Sequence, residues 1–303
     1  MKIPDFTSEP DQILMTPGLP IHSFKISETG NIDLITVKAF GEEWLKFNTF
    51  SSSDVSKIGA DYFDILPPKL SLKELVVLDM GCGTGRWALY LAPKVGFIDC
   101  VDPSEAVHSA SILLKDYKNI RIIRADVDNL PLVDSSYDLV YSLGVLHHVP
   151  DTKDAMKKCV RKLKVGGHFL VYLYYNLDNR NDNFKLLFRG VNKIRKVVSQ
   201  LPVAKKKVIC DLIAGIVYLP AAKFAHTIKK LGFENVAKKL PLSYYSDKSF
   251  WIMKNDALDR FGTPLEQRFS KAQIVAMMEA CGLINIKVSD NEPYWHAIGE
   301  KAY

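Results

Sequence analysis

The chain reads as an α/β protein built on a doubly wound, mostly parallel sheet. Three observations predict this. An apolar strand runs into a turn carrying Gly81, Gly83 and Gly85; strand and helix alternate five times between residues 75 and 175; and acidic residues stand at successive strand ends. Such alternation implies right-handed crossovers and a ligand lying outside the carboxyl ends of the strands.

In order, residues 75–80 form the first apolar strand. The three glycines let the backbone turn tightly and leave no Cβ in the way of a ligand lying across it. Residues 84–92, with Trp87, Ala88, Leu91 and Ala92 apolar and Pro93 as the stop, read as the helix that follows. A second strand, 96–101, ends at Asp102, and a third, 120–125, ends at Asp126. Residues 137–151, Tyr-Asp-Leu-Val-Tyr-Ser-Leu-Gly-Val-Leu-His-His-Val-Pro-Asp, supply the fourth. Residues 157–164 complete a helix, Gly166-Gly167 break it, and 168–175 make a fifth strand. Ser270 with Gln273 then makes a capping-box start and Gly282 a helix stop, and 283–289 and 294–301 read as two last strands.

Composition suits a compact enzyme. The chain has 303 residues, 48% of them hydrophobic, which is material for one full domain plus a sizeable insertion. No repeat or low-complexity tract occurs, the N-terminus has no apolar signal run, and the apolar stretch 208–222 is broken by Asp211 and Pro220. It is shorter than a membrane span needs, so a cytoplasmic location is expected. The five cysteines are scattered and read as reduced and structural. His147-His148 lacks the spacing of a metal pair and there is no Gly-x-Ser-x-Gly elbow, so neither a metal nor covalent catalysis is expected.

The glycine spacing separates two ligand classes. A dinucleotide site wants Gly-x-Gly-x-x-Gly, and here the third position is Arg86. A carboxylate at Asp79 repels a pyrophosphate and favours a cationic amine. Asp102, about 20 residues past the turn, suits a ribose diol in either class.

Asp79 with Gly81, Cys82, Gly83 and Gly85, followed by Asp102, Asp126 and the Leu-His-His segment, resembles the class I S-adenosylmethionine-dependent methyltransferases, specifically the small-molecule enzymes of the ubiquinone and menaquinone type. The likeness covers 75–175 and returns at 265–302. It implies a Rossmann-like, seven-stranded sheet with an antiparallel last strand, and S-adenosyl-L-methionine as cofactor with S-adenosyl-L-homocysteine as product and no metal. It places the cofactor on Asp79, Gly81, Cys82, Gly83, Gly85, Asp102, Asp126, Val127 and Leu143, with Asp126 capping the adenine amine. It also turns His147, or less directly His148, toward the acceptor. A histidine there suits removal of a proton from a hydroxyl or ammonium acceptor near neutral pH. Methyl transfer is otherwise an in-line displacement driven by positioning.

Four stretches follow: an N-terminal substrate-side extension (1–70), the cofactor-binding core (71–175), a basic helical lid insertion (176–264) and a C-terminal completion of the sheet (265–303). Between 177 and 250 there are fifteen Lys or Arg against five Asp or Glu, while the remainder has 25 against 29, so the net charge of +6 comes from the insertion. Ile209, Leu212, Ile213, Ile216 and Val217 form an apolar stripe beside Lys205, Lys206 and Lys207. Such helices can cover a pocket or touch a membrane face, which points to a small-molecule or lipid-linked, anionic acceptor and to peripheral membrane contact. Nucleic acid fits less well because aromatics are not interleaved with the cations. Trp44, Tyr244, Tyr245, Arg268 and Trp295 are further candidates for the substrate mouth. The expected activity is methyl transfer to an oxygen, ahead of nitrogen or carbon. The alternatives are an RNA methyltransferase using the basic insertion, a non-catalytic cofactor-binding partner subunit, and a dehydrogenase. The acceptor and the oligomeric state stay open.

Overall fold

The computed structural model describes residues 2–46, 52–68, 70–178 and 182–303. Two compact units are present: residues 1–179 with 265–303, and residues 180–264.

The first unit is a sheet of nine strands: β1 (Gln12–Leu14), β2 (Ile21–Ser23), β3 (Val76–Met80), β4 (Phe97–Asp102), β5 (Ile120–Arg124), β6 (Tyr137–Leu143), β7 (Leu163–Tyr172), β8 (Leu283–Val288) and β9 (His296–Lys301). Their order is β1-β2-β5-β4-β3-β6-β7-β9-β8. Every residue of β3 and β4 is buried, as expected of parallel strands covered on both faces. Alternate residues feed two cores: Leu78, Met80, Val101, Val140 and Phe169 enter one, and Val77, Ile98, Cys100, Leu139 and Leu170 the other. Each such side chain contributes about 1.5–3 kcal/mol by leaving water. The strand succession runs one way from β3 through β4 to β5 and the other way through β6 and β7. The carboxyl ends of β3 and β6 therefore form the switch point where α/β sheets bind ligands.

Seven strands were expected and nine are found among the described residues. The two extra, β1 and β2, are antiparallel to each other, and β2 lies parallel to β5 with Ile21 opposite Ile122. Three-residue strands carry too little alternation to be read in sequence. The antiparallel β9, paired with both β7 and β8, is present as expected.

Helices α1 (Leu34–Lys46) and α2 (Ser52–Phe63) precede β3; α3 (Arg86–Leu91), α4 (Ala106–Leu113) and α5 (Thr152–Lys162) follow β3, β4 and β6. The helix expected over 157–164 ends at Lys162, and the strand expected from 168 begins at Leu163. Gly166-Gly167 is thus an irregularity inside a strand pair rather than a helix stop. Tyr137 faces Leu163 whereas Leu139 faces His168, and a Cβ on Gly167 would stand 3.1 Å from the carbonyls of Tyr137 and Asp138.

The second unit is helical: α6 (Asp182–Ser199), α7 (Val203–Ile213), a π turn (Ala214–Tyr218), α8 (Leu219–Lys230), α9 (Glu234–Ala237) and α10 (Phe250–Gly262). Val198, Cys210, Ala214, Tyr218, Ala222, Tyr245, Met253, Ala257 and Phe261 form its core. Lys206 Nζ donates to Gly262 O at 2.7 Å and Arg195 Nη1 to Thr263 O at 2.9 Å, two cations on carbonyls at the end of α10. Asp211 and Pro220 do not interrupt the apolar stretch as expected. Asp211 pairs with Lys254 at 3.0 Å, and Pro220 stands in the first turn of α8, next to the π turn where the hydrogen-bond ladder is already irregular. The helix runs unbroken from Ala204 to Lys230 and, by length and composition alone, is long and apolar enough to cross a membrane.

The chain then returns to the sheet unit through α11 (Lys271–Ala280), whose Ser270 and Gln273 form the expected capping box.

Candidate active site

The glycine turn is held by the strands beneath it. Gly81 and Cys82 donate their N–H groups to Val101 O at 2.8 and 2.9 Å, and Gly83 donates to Asp102 Oδ2 at 2.9 Å. All three glycines have positive φ, but they are glycine for different reasons. A Cβ on Gly81 would stand 2.4 Å from Val145, and one on Gly85 would stand 2.6 Å from Leu114, the C-cap of α4. Only Gly83 faces open space, its nearest neighbour being the Trp44 ring at 3.9 Å. The expectation that Gly85 leaves room for a ligand is therefore corrected: it leaves room for a helix.

Asp79 is 1% exposed, and its Oδ2 and the nearby Tyr141 hydroxyl are buried without hydrogen-bond partners. Burial pushes its carboxyl up to about 8, the charge of Asp102 adding to this and the Tyr141 hydroxyl and Arg86 opposing it. A buried carboxyl with an unmet acceptor is suited to a cationic ligand group. Asp102 is occupied structurally as well: besides Gly83, it accepts from Ser104 N at 2.8 Å and Ser104 Oγ at 2.6 Å. Asp126 is engaged in a similar way: its Oδ2 accepts from Ser27 N, and its Oδ1 from Asp128 N and Asn129 N, three backbone donors that make it a turn cap as well.

His147 and His148 lie on a short helical turn after β6. His147 is fully buried, and neither ring nitrogen has a hydrogen-bond partner. Its ring lies 3.9 Å from that of Tyr174. Burial, with help from His148 and Arg268, holds its pKa well below the ordinary value, so it is neutral at physiological pH. His148 instead has Nδ1 bonded to Leu265 O at 2.6 Å and packs against Phe40. These contacts hold its ring in place. Residues 265–269 strap this corner: Gln267 N donates to His147 O and Phe269 N to Tyr174 O.

The remaining candidates divide. Trp44 of α1 stands over Gly83, with the Arg86 guanidinium 4.9 Å from its ring. The side chains of Cys82 and Leu143 enter one core and that of Val127 the other. Arg268 donates to Glu266 at 2.8 Å and to Tyr175 O at 3.2 Å, which neutralises it in place. Trp295 is a core residue whose Nε1 donates to Asp178. Tyr245 is buried in the core of the helical unit with its hydroxyl on Asp256, and half-exposed Tyr244 belongs to that unit too. Sequence reasoning missed Tyr174, Ser104 and Arg86. The signal for Tyr174 was its place at the carboxyl end of the fifth strand, next to the fourth. Among the described residues no group of three or more His, Cys, Asp or Glu is placed to hold a metal ion.

A doubly wound sheet with an open glycine and buried acids at its switch point defines a nucleoside-cofactor-binding α/β protein. Residues 78–171 match the family described as a methyltransferase domain. Over 102 residues the chain is 34% identical to the uncharacterized methyltransferase YcgJ of Bacillus subtilis, covering 33% of this chain and 40% of that one. It is 29% identical over 224 residues to the ubiquinone/menaquinone biosynthesis C-methyltransferase UbiE of Rickettsia prowazekii, covering 65% and 88%. It is 26% identical over 215 residues to the ubiquinone biosynthesis O-methyltransferase of Hahella chejuensis, covering 64% and 88%. The chain spans less than half the length of the curated relatives that share 33–38% identity with it. These likenesses support a class I S-adenosylmethionine-dependent methyltransferase, with residues 78–171 as its methyltransferase domain. The family implies S-adenosylmethionine, and the partnerless Asp79 Oδ2 and the open face of Gly83 fit that cofactor.

Proposed function

We propose that this protein transfers a methyl group from S-adenosylmethionine to an oxygen of a small or amphipathic, anionic metabolite. The observation that carries the reading is His147: neutral, fully buried, and unpartnered at both nitrogens, two residues beyond the Val145 that lies against Gly81. Leaving two imidazole nitrogens buried and unmet costs about 1–3 kcal/mol each, which a purely structural residue has no reason to bear.

When bound, the cofactor supplies a methyl group on a sulfonium, open to in-line displacement. Asp79 would hold its cationic amine and Asp102 its ribose, while Gly83 keeps the turn clear of side chain. His147 would take the proton that an acceptor hydroxyl gives up. Tyr174 stacks the imidazole in place and the 265–269 strap shields it from water. The basic helical unit supports an anionic acceptor.

A carbon acceptor is the second reading, favoured by the likeness to the C-methyltransferase UbiE. Incubating purified protein with methyl-labelled cofactor and fractions of host extract tests both. Label entering a small-molecule or lipid fraction as a methyl ether or ester supports the proposal. Label on carbon supports the second reading, and label in RNA or in no fraction overturns both.

A further inference from the structure

The long helix of the second unit presents two unlike faces. Lys206, Cys210, Ala214, Tyr218 and Ala222 recur every four residues and are buried, the last four in the unit's own core. Two residues further on, Val208, Leu212, Ile216, Pro220 and Phe224 recur at the same interval. Two residues are about 200° of rotation, so the rows lie on opposite faces. A row at four-residue spacing creeps around a regular α-helix, and the wider π turn at Ala214–Tyr218 takes up part of that creep. Val208, Leu212, Ile216, Val217 and Phe224 are each more than half exposed. Exposed Lys205, Lys223 and Lys230 accompany this row. Asp211, the one acidic residue between 204 and 230, is paired with Lys254.

We infer that this face docks on an anionic lipid surface, with the helix lying in the plane of the interface. The apolar row enters the boundary between headgroups and acyl chains, and the lysines reach the phosphates along their own stems. The helix lies on the membrane rather than crossing it, because one whole face is committed to the unit's core and carries Lys206, fixed on Gly262 O. A second copy is the poorer occupant. Residues 180–264 hold 17 Lys or Arg against six Asp or Glu, so a symmetric contact would set like charges against one another. This inference stands apart from methyl transfer and does not depend on it.

The test is sedimentation of the full chain with vesicles of phosphatidylcholine, with and without phosphatidylglycerol. Binding is expected only with the anionic lipid and falls as salt rises from about 0.1 to 1 M. Lys205→Gln, Lys223→Gln and Lys230→Gln each lower partitioning roughly fivefold. Ile216→Asp with Phe224→Asp abolishes it, while S-adenosylhomocysteine affinity and helical circular dichroism stay as in the wild type. The inference is overturned by no binding to anionic vesicles, by unchanged partitioning of the lysine variants, or by retention in the membrane after alkaline carbonate extraction, which marks a spanning helix. Loss of a dimer in Ile216→Asp with no change in vesicle binding overturns it in favour of a second copy.

Discussion

The Gly83 N–H points at Asp102 Oδ2 from 2.9 Å, so the one glycine of the turn that faces open space is held by the acid that ends the neighbouring strand. Asp102 thereby orders the binding surface and remains available to a ligand at its edge. Asp102→Ala should lower S-adenosylhomocysteine affinity by more than one lost ligand contact, which alone is about 1.5–3 kcal/mol. Calorimetry should show at least a hundredfold loss, and amide exchange at Gly83 and Ser104 should quicken. A loss of affinity with unchanged exchange confines Asp102 to ligand contact.

The glycines should separate by readout. Gly85→Ala forces a methyl into Leu114 and should lower the melting temperature by several degrees, at about 2–4 °C per kcal/mol for a chain of this size. Gly83→Ala meets no side chain and costs only the backbone strain of a positive φ, about 1–2 kcal/mol. Its main effect should be on ligand affinity. Equal melting temperatures for the two variants would show that α4 yields to the added methyl.

Asp79 makes binding and stability depend on pH in opposite senses. Its folded pKa of about 8 lies above the unfolded value of 3.8, so the empty protein holds a proton there that the unfolded chain does not. Stability from this group is full at low pH and is lost as pH rises through about 8. Asp79→Asn should therefore raise the melting temperature of the empty protein, increasingly so toward pH 9. A cationic amine favours the ionised form, so cofactor binding at pH 7 should release a proton. Calorimetry in buffers of different ionisation enthalpy measures that release, and none should remain in Asp79→Asn.

His147→Ala should lower turnover by roughly 10²–10⁴-fold with cofactor affinity nearly unchanged. Because the His147 pKa is held below 6.5, the base stays deprotonated in mild acid, and the acid limb of the rate profile should fall well below pH 6.5. His148→Ala should instead cost stability, since it frees Leu265 O and opens the packing against Phe40. Full activity of His147→Ala would favour the carbon acceptor.

The strand-turn-helix core and the order of its acids were legible because buried parallel strands are continuous apolar runs and the turn needs glycine. What the residues do there was less so. Gly81 and Gly85 are fixed by Val145 and Leu114, neighbours that only the folded chain supplies. That Asp126 also caps a turn depends in part on Ser27, 99 residues away. Trp295 and Tyr245 had the composition of a substrate mouth, yet Asp178 and Asp256 take their polar atoms and cores take the rings. Pro220 was read as a break because nothing in local sequence announces a π turn.

The strap over His147 has one more consequence. Tyr175 and Phe269 pair as a bridge, and Asn176 N donates to Phe269 O at 3.0 Å, so the two stretches that flank the helical insertion are clasped together before the chain departs and after it returns. The sheet unit closes its own seam there, which makes the insertion an exchangeable cassette. Such a scaffold can keep one cofactor chemistry while its helical module is rewritten for a different surface or acceptor.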